Sequence, residues 1–331
     1  MPTKIVYGLN ELENIDRYID GRKTLLITSQ GFVKRGLVDK IKSFTDDIVY
    51  VVSSIKSHPE FKDLEKIYDE IRDINFELIL AVGGGSVIDS AKYFIYQNDK
   101  KDISLISVPT TAGTSSEITP WATIWDMDAK KKYSIEDKRL FSEVAIYDAT
   151  ITLSVSIEIT IQTGLDTLSH ALESIWNKNA NEITVNYATK SAKLIMQNLE
   201  NLVNDLDNLT YRDNIMKASM YAGLAFSNTK TAIAHAMSYY ITTHKNIPHG
   251  IACSFTLPML IDNVIGKYDF IDKALIEIFG ELSSNKLQKL LNNLSINTNF
   301  KDYGVTKEDV LKNINLDRLG NSLIQDITIF E

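Results

Sequence analysis

The run FELILAVGGGSVIDSAK, residues 76–92, restricts the fold more than any other stretch of this chain. Its apolar segment is short and is cut off by Gly83, Gly84 and Gly85, so a buried strand must give way through a tight turn to a helix. Comparable apolar runs stand at KTLLITS (23–29), IVYVVSS (48–54) and ISLISVPT (103–110). Between them, GLVDKIKSF (36–44) and LEKIYDEIRDI (64–74) have helical spacing. Strands alternating with helices predict a mostly parallel sheet with helices on both faces. After about residue 153 glycine is sparse, and segments 183–203 and 211–226 carry helical periodicity. The asparagine-rich piece 283–300 reads as a surface helix and its loop. The expectation is an α/β N-terminal domain over 1–153 and an all-helical C-terminal domain over 154–331.

Length and composition agree with two domains, since 331 residues correspond to about two units of roughly 150 each. No apolar run approaches the ~20 residues that span a bilayer, and the start of the chain lacks the pattern of a secretory leader. One cysteine, Cys253, excludes an internal disulfide and suits a reducing cytoplasm. A formal net charge of −8 argues against nucleic-acid partners and anionic membranes. A small anionic substrate would need a local cationic pocket.

Glycines between a strand and a helix let a ligand approach the backbone, and the helix start offers free N–H groups to phosphate oxygens. Ser86 and Asp89 have the S-x-x-D spacing of a capping box. The loop is neither G-x-G-x-x-G nor a P-loop, so it predicts a pyrophosphate site of unspecified chemistry. The next strand ends in PTTAGTSSE (109–117), which brings Thr110, Thr111, Thr114, Ser115 and Ser116 to the same carboxyl edge. Ligands of open α/β sheets bind at that edge.

The chain has five histidines, and three of them fall within residues 234–250. In TGLDTLSHALES (163–174), Asp166 and His170 are four apart and share one face of a helix. Two ligands are too few to hold an ion. His235 lies on the helical AHAMSYY, and His249 follows Pro248 in a rigid loop or helix start. One aspartate and three histidines suit Fe²⁺ or Zn²⁺ and leave a position for substrate. Spacing alone does not choose between His244 and His249.

Taken together, GGGSVIDSAK, PTTAGTSSE, LFSEVAIYD, TGLDTLSHALES, AHAMSYY and IPHG resemble the motifs of the iron-containing, or group III, alcohol dehydrogenases, in family order and spacing. The resemblance runs from about residue 4 to 265. It implies a Rossmann-like sheet, and a metal held by Asp166, His170, His235 and His249, with His244 left as a loop residue and His58 without a role. It also implies that the glycine loop, including Ser86 and Asp89, holds the pyrophosphate of NAD(P)H, with Thr110, Thr111 and Thr114 lining the cofactor and Lys132 near its ribose. A homodimer is a further family implication.

Three departures from the family pattern bear on chemistry. Where relatives often carry a second histidine four residues after the third ligand, this chain has Tyr239; a phenol can donate or relay a proton but is a poor base near neutrality. Where many relatives carry an aspartate after the first strand, this chain has Ser29, which weakens discrimination against NADPH. The C-terminal helical part is also shorter than usual. The stretch NTKTAIAHAMSYYIT resembles a branch associated with phosphonate metabolism, implying reduction of phosphonoacetaldehyde to 2-hydroxyethylphosphonate. Lys230, five residues before His235, is a suitable point-charge partner for such a dianion. The alternatives are a general small alcohol or polyol dehydrogenase, a dehydroquinate-synthase-like lyase that recycles bound NAD, and a binding module without catalysis.

Overall fold

The computed structural model describes residues 2–98, 102–126, 128–129 and 131–324. Contacts divide the chain into two compact units, Met1–Thr111 with Ser115–Ser154, and Ala112–Thr114 with Val155–Glu331. Thr110 and Thr111 therefore belong to the first unit and Thr114 to the second.

The first unit is built on β1 (Lys4–Tyr7), β2 (Thr24–Ile27), β3 (Ile48–Val52), β4 (Leu78–Gly83), β5 (Ser104–Pro109) and β8 (Val144–Tyr147). These strands form one sheet in the order β1-β8-β5-β4-β2-β3, with every pair parallel. Helices α1 (Asp16–Ile19), α2 (Gln30–Lys34), α3 (Leu37–Lys42), α4 (Phe61–Ile71) and α5 (Gly85–Gln97) cover it. In β4, Ile79 and Ala81 join a core with Leu64, Ile67 and Ile88, whereas Leu78, Leu80 and Val82 join another with Ile15, Ile19 and Ile41. Successive side chains point to opposite faces, so a strand buried on both sides must be apolar throughout, as LILAVG is.

β2 lies between β3 and β4, and the chain winds away from it in both directions. Such a switch point opens a crevice at the carboxyl ends of the strands. Ser29 follows β2 and the glycine loop ends β4, so the topology brings both to this crevice. A Cβ on Gly83 would stand 2.4 Å from Val87 Cγ2, so α5 turns back against the strand end only because the residue is glycine.

The capping-box expectation fails. The N-cap of α5 is Gly84, with no side-chain cap. The helix begins two residues earlier than the S-x-x-D spacing required, which puts Asp89 in the second turn. Its carboxylate instead accepts from Ser116 Oγ at 2.6 Å and Thr123 N at 3.0 Å. The unit also contains an antiparallel hairpin, β6 (Trp121–Asp126) and β7 (Lys131–Glu136), that the sequence reading did not foresee.

The second unit contains α6 (Ile157–Ile175), α7 (Glu182–Asn204), α8 (Leu209–Thr229), α9 (Ile233–Lys245), α10 (His249–Ser254), α11 (Leu257–Val264), α12 (Asp269–Phe279), α13 (Asn285–Asn293), α14 (Lys307–Asn313) and α15 (Leu316–Leu319). No strand is present here among the described residues. No described helix is long and apolar enough to cross a membrane. His244 is not a loop residue: it lies in the last turn of α9, stacked on Tyr240 at 4.6 Å. Its position completes a turn with Tyr240, four residues before it.

Candidate metal centre

Helix α6 carries Asp166, His170 and Glu173 at positions i, i+4 and i+7, which align on one face. All three are buried, at 5%, 6% and 0% exposure. Such residues are almost never buried unless paired or bound.

Glu173 is paired. The N-cap of α9, Ala232, provides no side-chain cap. The Glu173 carboxylate takes that place from the neighbouring helix, accepting from Ala232 N (3.0 Å), Ala234 N (2.5 Å) and His235 N (3.2 Å). An anion at a helix N-terminus also meets the favourable end of its dipole. Glu173 Oε2 lies 2.6 Å from His235 Nδ1. With the proton on Nδ1 donated to Glu173, the lone pair of Nε2 is directed elsewhere.

It faces Asp166, whose Oδ1 lies 3.5 Å away. Neither atom has a hydrogen-bond partner, and both are buried. Two acceptor atoms held at this separation without a donor require a proton or a cation between them. The gap suits an ion: two ligand atoms on a tetrahedral centre at about 2.1 Å lie roughly 3.4 Å apart. His249 Nε2 is 3.9 Å from the same Asp166 oxygen. These residues fit a divalent ion.

His249 reaches this point because α10 begins against α6. Pro248 is the N-cap and His249 the first helical residue. A Cβ on Gly250 would stand 1.9 Å from the carbonyl oxygen of Gln162, so no other residue permits this approach. The side chain of His249 is 26% exposed against 2% for His235, so the cluster opens to solvent on its side.

The donor atoms of Asp166, His235, His249 and Cys253 all lie within 4.8 Å of one another. His170 is not in that group. Its ring is sandwiched between Phe226 at 4.2 Å and His235 at 4.5 Å, and its Nδ1 is buried without a hydrogen-bond partner. The electrostatics are those of a compact charged cluster. Burial works against ionisation of Asp166, but His170, His235 and His249 outweigh it and hold the carboxyl well below its usual range. Burial lowers His170 to about 4 against the pull of Asp166. Burial also opposes the charged form of His235, yet Cys253, Glu173 and Asp166 raise it.

Other residues singled out from the sequence occupy varied places. Tyr239 lies one turn beyond His235 on α9, its ring parallel to that of His249 at 6.4 Å and beneath the guanidinium of Arg318 at 4.8 Å. Arg318 also donates to Thr231 Oγ1. Lys230 is the exposed C-cap of α8, with a left-handed φ of 65°. In the sheet unit, Ser29 stands at the N-cap position of α2 without a side-chain cap bond and bridges Ser54. Ser86 lies in the first turn of α5, where its carbonyl accepts from Ser90 Oγ. Thr110 is buried, its amide donating to Gly83 O at 3.1 Å while Oγ1 has no partner. Thr111 Oγ1 stands 2.9 Å from where a Cβ of Gly84 would be. Thr114 is exposed in the second unit. Lys132 pairs with Trp125 across the hairpin, its Nζ 5.4 Å from the indole.

Sequence reasoning missed Glu173, Cys253 and Arg318. Glu173 continues the Asp166–His170 stripe by another three residues, a signal that was present. Cys253 is four residues after His249, again one helical turn. Arg318 had no local signal.

Residues 2–149 match the profile described as iron-containing alcohol dehydrogenase, and residues 160–316 that of the Fe-containing alcohol dehydrogenase family, C-terminal. The chain is 30% identical over 267 residues to 1-propanol dehydrogenase PduQ of Citrobacter freundii, covering 79% of this chain and 72% of that one. It is 28% identical over 342 residues to sulfoacetaldehyde reductase of Bilophila wadsworthia, covering 93% and 88%. Among solved structures, sulfoacetaldehyde reductase from Bifidobacterium kashiwanohense in complex with NAD+ superposes with a TM-score of 0.93 at 27% identity, over 99% of this chain and 95% of that one.

Proposed function

The chain belongs to the iron-containing alcohol dehydrogenase family, and from that premise we propose that it reduces a small aldehyde carrying an anionic head group, with phosphonoacetaldehyde as the leading substrate. The buried, unbonded pair Asp166 Oδ1 and His235 Nε2, 3.5 Å apart, carries the reading of a metal-dependent centre. Asp166, His170, His235 and His249 would hold Fe²⁺, or Zn²⁺ as the alternative, which acts as a Lewis acid toward the carbonyl oxygen. A bound NADH or NADPH would supply the hydride. The likeness to a structure in complex with NAD+ supports the nicotinamide, and Ser29 after β2 supports tolerance of NADPH.

The chain's own residues do the positioning. Glu173 fixes the tautomer and orientation of His235 through Nδ1. Gly83, Gly84 and Gly85 with the start of α5 receive the pyrophosphate, and Thr110 has a buried hydroxyl to offer. The family resemblance assigns Thr111, Thr114 and Lys132 to the rest of the cofactor. The Tyr239 hydroxyl would relay the proton to the carbonyl oxygen as hydride reaches carbon, giving the alcohol, with water and the cofactor ribose as the other candidate relays that return it. Arg318 over the Tyr239 ring, with Thr231 at its guanidinium, adds a fixed fork of donors to the charge of Lys230. Donors of this kind suit a tetrahedral oxyanion on the substrate. The similarity to sulfoacetaldehyde reductases favours sulfoacetaldehyde as the second candidate, since sulfonate and phosphonate present the same oxygens. A cytoplasmic homodimer completes the proposal.

The test is the initial rate of NADH and NADPH consumption by Fe²⁺-loaded protein with phosphonoacetaldehyde, sulfoacetaldehyde and propanal. A phosphonate preference that Lys230→Met or Arg318→Met abolishes through KM is the expected result. Sulfoacetaldehyde ahead of phosphonoacetaldehyde transfers the assignment to the sulfonate. Propanal matching both anions sinks the anionic-substrate reading, and no cofactor consumption with any of them favours a lyase that recycles bound NAD.

A further inference from the structure

Cys253 is fully buried on α10, one turn from His249, on the face that carries that histidine into the cluster. A buried cysteine is ordinarily a small apolar side chain. The surroundings of this one are different. Its Sγ lies 3.7 Å from His249 Nε2 and 3.8 Å from His249 Nδ1, and within 4.8 Å of the donor atoms of Asp166 and His235. Two of those atoms, Asp166 Oδ1 and His235 Nε2, are buried without hydrogen-bond partners and converge on the same space.

The spacing is that of ligands on one ion. About a tetrahedral centre, nitrogen and oxygen ligands at about 2.0–2.1 Å lie roughly 3.3–3.4 Å apart, and a sulfur at about 2.3 Å lies roughly 3.5–3.6 Å from each of them. The separations of 3.5 Å between Asp166 and His235 and 3.7 Å between Cys253 and His249 lie close to these values, and the 3.9 Å between Asp166 and His249 closes to them with an inward shift of about half an ångström. His170 Nδ1, stacked behind His235, remains available as a separate donor.

We infer that Cys253 is a metal donor, so that Asp166, His235, His249 and Cys253 form a second coordination set sharing three residues with the first. The inference rests on the metal-centre reading above. A thiolate selects softer ions: the set with His170 is all nitrogen and oxygen and suits Fe²⁺, whereas the set with Cys253 suits Zn²⁺ or Cd²⁺. Four protein ligands on zinc also make a closed site of the structural kind, with no position for substrate. When such an ion binds through sulfur, the S–H proton leaves to solvent and the metal–sulfur bond takes its place.

Cobalt(II) separates these statements, because its visible ligand-field bands report binding and its near-ultraviolet charge-transfer band reports sulfur. Metal-stripped full-length protein would be titrated with Co²⁺, alongside Cys253→Ser. The expected result is both features in the wild type and loss of the charge-transfer band alone in the variant. The wild-type spectrum decides even if the variant fails to fold, since Cys253 is the only thiol in the chain. Visible bands without a sulfur band overturn the role of Cys253 and leave the metal centre standing. No visible bands in the wild type overturn both.

Discussion

Two of the buried groups of charged residues are finished in opposite ways. In the sheet unit, Lys92 on α5 is fully buried, yet its ammonium reaches Ser116 O at 2.5 Å, Thr119 O at 2.7 Å and Trp121 O at 2.8 Å. Asp89, beside it, is bonded to Ser116 and Thr123. In the helical unit, Asp166 Oδ1, His170 Nδ1 and His235 Nε2 are equally buried and have no such partners. A satisfied cluster ties the chain together, here fastening residues 116–123 to α5. An unsatisfied one is stable only because other contacts hold it, and it waits for a ligand. The contrast is not complete, since Glu117 Oε1 beside Lys92 is also buried without a partner.

Exchanging the two clusters' fates in mutants tests that distinction most severely. Asp166→Asn removes an anionic donor but leaves no new group stranded. Turnover should fall on the order of 10³-fold, with metal lost on dialysis and the melting temperature of the metal-free protein only modestly lowered, because the surrounding histidines favour the carboxylate in the folded state. Lys92→Met should do the reverse. It strands several buried carbonyls and removes the cation near the Asp89 carboxylate, so stability should drop by about 3 kcal/mol while metal content per folded protein stays constant. Metal analysis and denaturant melts of both variants decide it; a large loss of stability in Asp166→Asn would mean that the cluster is structural after all.

Glu173→Gln sharpens the boundary, because Glu173 is the one satisfied carboxylate in the unsatisfied cluster. The amide keeps the shape but is neutral and cannot accept equally from the α9 amides and His235 Nδ1. A decrease of roughly 10–100-fold in metal affinity or turnover is expected, smaller than that from Asp166→Asn. Competitive chelation measures it. An unchanged metal affinity would show that His235 is positioned by packing alone.

How much of this was legible in the sequence follows from what each element must bury. β4 and β5 are covered on both faces, so they are almost wholly apolar, with only Ser104 and the hydrogen-bonded Ser107 in β5 breaking the run, and stand out as strands. The hairpin was missed because KKYSIE is mostly exposed and has no apolar pattern to read. Asp166 and His170 share a helix, so their spacing was informative; His235 and His249 come from other helices and needed the family motifs. Glu173 was readable in principle by extending the same stripe, since buried acids on an apolar face require a partner. Arg318 was not, because its neighbours Thr231 and Tyr239 are some eighty residues away and only tertiary packing brings them together. The capping-box error has a local cause: two glycines shifted the helix start, and a spacing rule is blind to register.

The satisfied cluster makes one smaller prediction of its own. Burial lowers Lys92 to about 8 against the raising influence of Asp89 and Glu117, compared with 10.5 for a free lysine. The folded state therefore holds fewer protons on this group than the unfolded chain between those values. Stability rises with pH wherever the unfolded state binds more protons, so the contribution of Lys92 is least favourable below pH 8 and improves as pH climbs toward 10.5. Between pH 8 and 9 the gain is about 1 kcal/mol. Melting curves of the wild type and Lys92→Met at matched pH isolate it, because the variant lacks the titrating group and other lysines cancel. A gap between the two proteins that stays constant across pH 8–10 would mean that Lys92 keeps its proton in place, held by its carbonyls more strongly than burial opposes it.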